Sequence, residues 1–414
     1  MELLKHMNLQ LFAGEDINRT TDNTKGNDFS STMKEYYNTE LLENARASLY
    51  FNQFGKKQPL PANNGDTVEW RKFNTFGKAM TALTEGVTPQ PDKFGMTKIK
   101  QTISQHGAYT YISDRLDAEA VDPIIVGATE EYGAAAGETL DAITRNELLT
   151  GTHVLYPNGK TSRYALDDKD KISGKLVNMA FTQLKKMKAP KVDGNEYVCI
   201  IHPSVSFDLR EDEAWLEAHK YASPDEIYNG EIGKLHNVRF VESTEAKVLR
   251  GEDLSADSRN LTVKTAASSA SSVTVSETLE ADALVGRLVL IGDAQYLVTA
   301  NTTTALTLAD PLTEEAAKVT AAANTVIYPG EGGAEGKAVY ALEFFGKDAW
   351  GVIEPSAEGM EMIVKPKGSS GTADPLNQRS SVGWKASTAA KILYEERLLR
   401  VEVCSEYSDV DEAN

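Results

Sequence analysis

Two extended stretches constrain this chain most. Residues 66–76 (DTVEWRKFNTF) and 97–112 (TKIKQTISQHGAYTYI) are rich in β-branched and aromatic side chains, the composition of strands. Residues 77–96 between them carry three glycines and two prolines, so the spacing predicts an extended hairpin over 66–112 with a loose tip. Side chains alternate along a strand. Val68, Trp70 and Lys72 therefore share one face, and Thr67, Glu69, Arg71 and Phe73 the other. Neither face is wholly apolar, so the pair has no evident core in its own chain. Two arrangements fit equally: an edge hairpin of an ordinary sheet, or a strand pair laid across a neighbouring molecule. The second would make Trp70, Arg71, Phe73, Phe94, Tyr109 and Tyr111 inter-subunit contacts.

The 414 residues suffice for two or three domains. A formal charge of -18 argues against a generic nucleic-acid-binding surface but leaves room for a local basic patch. The two cysteines cannot build a disulfide framework, and a reducing compartment is the simpler reading. No apolar run approaches the ~20 residues of a membrane span. The start, MELLKHMNLQLFAGED, superficially resembles a secretion signal, but Asn8 and Gln10 break its apolar segment and Glu15 and Asp16 follow. Met7 is an alternative first residue. Residues 14–28 are polar, a flexible arm unless docked on a partner.

Helical spacing follows over 29–50, through Met33, Tyr36, Tyr37, Leu41 and Leu42. A longer helix is predicted over 122–150, with Asp122 as N-cap, Pro123 in the first turn and Gly151 as a left-handed C-cap. It would span roughly 40 Å. A further helix, 173–189, presents Leu176, Met179, Ala180, Leu184 and Met187 and stops at Pro190. Asp193-Gly194 turns the chain into a strand at 197, a helix resumes over 204–221, residues 229–233 form a turn, and 238–241 is a short strand. Short alternating runs over 261–328 (LTVKT, SSVTVS, RLVLIG, QYLVTA, TALTLAD, NTVIYPG) predict a small β-sandwich or barrel. GEGGAEG, 330–336, reads as a flexible linker after it. Strands return over 338–346, 359–366 and 381–403. An acidic tail, 405–414, reads as disordered.

Motifs for chemistry are few. Gly159-Lys160-Thr161 resembles the end of a phosphate loop, but the motif needs glycine at 154, where valine stands. GEGGAEG lacks dinucleotide-loop spacing and a strand-to-helix entry. There is no His-Glu-x-x-His and no Gly-x-Ser-x-Gly. Asp167-Asp168-Lys169-Asp170 lacks calcium-loop spacing and reads as a solvated turn. Cys199 and His202 could pair as nucleophile and base. However, Cys199 sits within YVCII, where a cysteine behaves as a small apolar residue, and His202 points to the other face. No catalytic residue, cofactor or metal site is expected, and the chain does not read as an enzyme.

Several segments together carry a resemblance: MNLQLFAG (7–14), LTEGVTP (83–89), ETLDAITRNELLTGT (138–152), IIHPSVSFDLREDEAW (200–215), NGEIGKLHNVRFVES (229–243) and VGWKASTAAKILYEERLLRVE (382–402). In their order and spacing the chain resembles tailed-phage major capsid proteins of the Hong Kong 97 type, more specifically the N4-type family. The resemblance implies an α+β capsid fold. Residues 1–65 would hold an N-terminal arm and first helix, and 66–112 an extended loop across a neighbouring subunit. Residues 113–172 would be a peripheral domain with a long spine helix, and 173–250 an axial domain. Residues 251–336 would be an inserted all-β domain, 337–404 returning strands, and 405–414 a tail. It also implies an icosahedral shell of hexamers and pentamers enclosing double-stranded DNA, without sequence-specific binding. Scaffold, portal and decoration proteins would be partners, the virion capsid the location, and the host bacterial cytoplasm the place of assembly. A cargo-holding nanocompartment or gene-transfer particle of the same fold is the alternative.

Overall fold

The computed structural model describes residues 49–60, 65–74, 76–80, 82–83, 85–88, 91–119, 124–192, 194–219, 231–355, 360–369 and 374–414. The arm, both candidate starts, nearly all of the 29–50 helix, Asp122 with Pro123, and the start of the 229–233 turn lie outside them. The chain divides into two compact units. One comprises Leu49–Ile103, Leu140–Glu354 and Ala389–Asn414, and the other includes Ser104–Thr139 and Pro355–Thr388.

The larger unit is organised by Val339–Phe345 (VYALEFF), all seven residues of which are buried. It pairs antiparallel with Leu398–Val403 and with Tyr197–Ile201. Tyr197–Ile201 pairs in parallel with Val238–Glu242, and Glu231–Leu235 completes that side of a seven-stranded sheet. Near-continuous apolar strands are what a sheet covered on both faces requires. On one face the helix Gly174–Lys186 lays Leu176, Val177, Ala180 and Leu184 against Cys199, Phe240 and Phe344. On the other, Phe51, Leu148 and Trp350 pack on Val198, Ile200 and Phe345. The Ser173 hydroxyl caps the helix, accepting from the Leu176 N–H at 3.3 Å. Met179, predicted on the apolar face, is instead exposed.

The hairpin exists, but it is shorter than 66–112. Thr67–Phe73 pairs with Met96–Thr102 in unbroken antiparallel register. The chain then leaves the pair after Ile103. Ser104–Ser113 pairs with Arg379–Thr388 in the other unit. The hairpin also has a core of its own. Val68 and Trp70 pack with Ile99 and Ile103 against Ile353, Ala389 and Leu393. A Cβ on Gly351 would sit 2.9 Å from the Trp70 ring, so that glycine makes room for the indole.

Residues 261–329 form the all-β body. Six strands order as Leu261–Thr262, Val326–Pro329, Leu288–Ile291, Ala294–Asn301, Ala305–Ala309 and Ser272–Thr274. The first and last strands are joined by the Val263–Val275 bridge. Lys264 N–H donates to Thr274 O at 2.8 Å and Ser276 N–H to Thr262 O at 2.9 Å. The sheet therefore closes as a small barrel, filled by Val263, Val275, Val298, Leu306 and Ile327. Closure removes the unpaired edges that an open sheet leaves.

Two further sequence expectations change around the barrel and at the tail. GEGGAEG is no loose linker: a Cβ on Gly333 would meet Leu166 O at 2.9 Å, and one on Gly330 would meet Leu288 at 2.8 Å. These glycines permit close backbone packing at the barrel's neck. The 405–414 tail is docked rather than disordered. Asp411 accepts from the hydroxyls of Ser204 (2.6 Å) and Tyr340 (2.7 Å). Asn414 Oδ1 accepts from Val248 N–H at 3.0 Å, and Lys171 pairs with Glu406.

In the second unit, Ser104–Ser113 and Glu361–Lys365 flank Arg379–Thr388. Ile112, Met362, Val382 and Trp384 are buried, while Tyr109 and Tyr111 are exposed. The long helix is Ile124–Leu148, 25 residues. Gly151 does not end it in a left-handed conformation, since its φ is not positive. A Cβ there would lie 3.1 Å from both Leu148 O and Leu398 Cδ2, which explains the glycine by close packing.

Candidate self-association surface

Because Val68, Trp70 and Ile99 turn inward, the opposite hairpin face turns out. Register places Glu69 across from Lys100, Arg71 across from Lys98, and Phe73 across from Met96. Glu69 gathers three cations: Arg71 Nε at 2.9 Å, with Lys98 and Lys100 Nζ each at 3.8 Å. The Arg71 hydrogen bond is the main cause that lowers the Glu69 carboxyl below its ordinary pKa, and the lysines add to it. All three cationic side chains are more than half exposed.

Beyond this band the hairpin becomes apolar. Phe73, Phe76 and Phe94 are 60%, 53% and 62% exposed. Their rings form a stack: Phe73 to Phe94 at 5.0 Å and Phe76 to Phe94 at 5.4 Å, both within 20° of parallel by the 17° and 19° between planes. Asn74 N–H donates to Gly95 O at 2.9 Å, which holds the two sides of the tip together. Met80, Leu83 and Val87 are exposed on the same stretch. The three stacked phenylalanines make this end of the hairpin a candidate interaction surface. On the inner face Lys72 lies 3.1 Å from Glu396 and 4.6 Å from the Tyr394 ring, anchoring the ribbon to its own chain.

The six sequence candidates thus separate. Arg71, Phe73 and Phe94 come together on the outer face. Tyr109 and Tyr111 meet edge to face at 5.3 Å on the other unit's sheet, with the Arg379 guanidinium 5.1 Å from the Tyr111 ring. They border a shallow groove of about 340 Å³ with Ile363, Lys365 and Gly383. Trp70 is corrected: at 8% exposure it is covered by its own chain. Met96, Phe76 and the Lys98/Lys100 pair went unsingled, although strict alternation from Phe73 and Arg71 locates their strand-borne members.

The Cys199/His202 pair is structural. Cys199 is fully buried, and burial pushes its thiol well above the ordinary range. A catalytic thiolate needs the opposite. His202 Nδ1 caps the helix Pro203–Glu211, accepting from Ser204 N–H at 3.2 Å, and burial lowers its pKa. Ser204, His202 and Asp411 converge, but the serine hydroxyl donates to the carboxylate and the imidazole nitrogen is 3.8 Å from that same oxygen. The Ser204 hydroxyl therefore gives its proton to the carboxylate and not to the imidazole, whose Nδ1 is taken by the Ser204 backbone N–H, so the histidine is not placed to activate a nucleophile. In the acidic turn, Lys160 lies 3.6 Å from Asp167 and 3.7 Å from Asp170, so a side-chain ammonium fills the place of a cation. No group of three or more His, Cys, Asp or Glu suited to a metal occurs among the described residues. Nor is any helix among them long and apolar enough to cross a membrane.

No protein-family model matches the chain, and no curated protein matches it. Solved structures do. The capsid of Ralstonia phage GP4 superposes with a TM-score of 0.54 at 13% identity, over 89% of this chain and 93% of that one. The capsid of the cyanophage P-SCSP1u gives a TM-score of 0.51 at 11% identity, over 87% and 89%. At such identities the likeness is one of fold. The chain has the α+β Hong Kong 97-type fold of these capsid subunits.

Proposed function

We propose that this chain is a major capsid protein, which self-assembles into the icosahedral shell enclosing the double-stranded DNA genome of a tailed phage or prophage. The observation carrying this reading is the fold likeness to phage capsid subunits over nearly the whole of both chains. A partial match would leave room for an unrelated added activity, whereas here the likeness covers 89% of this chain and 93% of the other. The exposed phenylalanine stack supports it, since a free subunit gains nothing by leaving such a surface in water. Contacts that close by rotation generate the rings from which shells are built. The subunits are expected as hexamers and pentamers, with scaffold, portal and decoration proteins as partners. Packaged DNA lies nearby without sequence-specific binding. Assembly takes place in the host bacterial cytoplasm, and the product is the virion capsid. The work is structural and requires no catalytic residue.

Electron microscopy of the purified chain, expressed alone and with a scaffold, tests this. Closed shells or rings of five and six subunits are the expected result. A monomer under every assembly condition would sink the proposal.

A further inference from the structure

We infer that Arg400 is the moving part of a proton-gated latch at the end of the long helix. With Glu343 neutral, Arg400 holds Glu402 and the Leu149 carbonyl. With Glu343 ionised, it turns to Glu343 and releases that carbonyl. The latch lies within one subunit, so the inference stands or falls separately from the shell reading.

The register of the central sheet builds the switch. Glu343 stands directly across from Arg400, and Ala341 across from Glu402. Alternation therefore puts Glu343, Arg400 and Glu402 on one face, with a single guanidinium between two carboxyl groups. Glu343 and Glu402 are sealed from solvent, and Arg400 nearly so. Arg400 Nε donates to Glu402 Oε1 at 2.9 Å, and its Nη1 donates to Leu149 O. The second bond serves one of the carbonyls that a helix leaves unpaired at its C-terminal end, where the helix dipole also favours a cation.

Both Glu343 carboxyl oxygens are buried without a hydrogen-bond partner. A sealed carboxylate in that position is costly, so this arrangement belongs to the neutral acid. Burial raises the Glu343 pKa to about 8, against the opposing Arg400 and with Glu402 adding to it, so mildly alkaline solution removes the proton. Ionised Glu343 then needs a cation, and Arg400 stands across the ladder from it. Glu402 can spare Arg400, because Arg163 grips the same carboxylate with Nε at 2.8 Å and Nη2 at 2.7 Å. Two guanidiniums then balance two carboxylates, and Leu149 O is the group that loses its partner.

Other titratable groups surround this face. Tyr156 has its pKa raised by burial and then by Glu402. Cys199, on the neighbouring strand, faces the opposite core, and burial followed by Glu343 raises its thiol. His153 and Lys247 meet the sheet through their backbone carbonyls, which accept from Arg400 N–H at 2.9 Å and Ala341 N–H at 3.0 Å. On the long helix, Arg145 donates to Glu245 O at 2.7 Å, and Asp141 accepts from Phe51 N–H at 2.8 Å. Burial raises Asp141 to about 7, so the test separates it from Glu343.

Backbone hydrogen exchange over 145–153 is followed in the full-length chain, kept unassembled, from about pH 6 to about pH 9 and corrected for the intrinsic pH dependence of exchange. This stretch includes the amides of Leu149, Thr150 and Gly151, which donate back into the last helical turn. The infrared band of a neutral carboxyl reads the Glu343 proton independently. Wild type should lose protection at the helix end about tenfold as that band disappears, with one shared midpoint. Glu343→Gln should lack the band and stay protected throughout, and Asp141→Asn should keep the wild-type step. Arg400→Gln should show the unprotected level at every pH. Thermal melting at low pH checks that each variant folds. A step that survives Glu343→Gln, or vanishes in Asp141→Asn, would overturn the inference. So would loss of the Glu343 band with no change in protection. If Glu343→Gln does not fold, Asp141→Asn decides: a protection midpoint that matches no carboxyl band remaining in that variant sinks the latch.

Discussion

Two strands of the larger unit differ in what covers them. Tyr197–Ile201 buries all five residues, helix on one face and aromatic core on the other. Thr67–Phe73 buries only Val68 and Trp70, and turns its alternate residues out. The first strand has finished its packing within the chain. The second has finished half. Apolar side chains on the covered strand should report on folding and, under the proposed function, those on the exposed face on association, so one substitution type should give different readouts in the two places.

The largest effect is expected at the central sheet. Phe344→Ala removes a ring packed beside Phe240 at 6.2 Å in the sealed core and should cost about 3–5 kcal/mol of unfolding free energy by denaturant titration. A cost below about 1 kcal/mol would break the comparison at its root. Next comes Glu343, on the same buried strand, with both carboxyl oxygens unpartnered. Burial raises its pKa to about 8; Arg400 opposes that shift and Glu402 adds to it. A raised folded-state pKa means the folded chain holds a proton that the unfolded chain releases above about 4.5. The stabilisation is full below that pH and is lost as pH rises toward about 8, a change on the order of a few kcal/mol. Comparing Glu343→Gln with wild type from pH 5 to 9 checks it: the variant should lack that part of the slope, and an unchanged slope would show that another group carries it. Trp70→Ala, at the hairpin's covered face, should cost about 3 kcal/mol, the low end for truncating an aromatic ring, read by the same titration. The smallest effect is Phe94→Ala, under about 0.5 kcal/mol on the unassembled subunit, because the ring is largely in water. A cost of 2 kcal/mol or so there would place Phe94 in the fold rather than at a contact.

What the sequence revealed follows the range of the forces involved. The helix read over 173–189 and the YVCII strand were legible because helical spacing and an apolar run act within a few residues. The exit of the chain from the hairpin at Ile103 was not, because the competing partner of 104–113 lies at 379–388. Nothing near Ile103 announces a strand that far along the chain. The tail misled for the same reason: its acids looked solvated locally, while Ser204, Tyr340 and Lys171 were waiting far upstream. Alternation correctly sorted the hairpin into two faces and so put Arg71 and Phe73 on the same, exposed side. It could not say which face the chain itself would cover, and Trp70 was misassigned on that point alone.

The barrel's attachment has a consequence for how this shape can change. Its entering strand, Val248–Leu249, is the direct ladder partner of its leaving strand, Val339–Phe345, with Leu249 opposite Val339. In topology the whole barrel is the loop of a two-stranded turn, swollen to some ninety residues' worth of chain order without disturbing the two residues that bracket it. Such a position works like a socket. Its contents can be shortened to a plain turn or exchanged for another closed module, and the sheet below keeps its spacing, because the bracket pair is set by backbone hydrogen bonds that lie outside the swap.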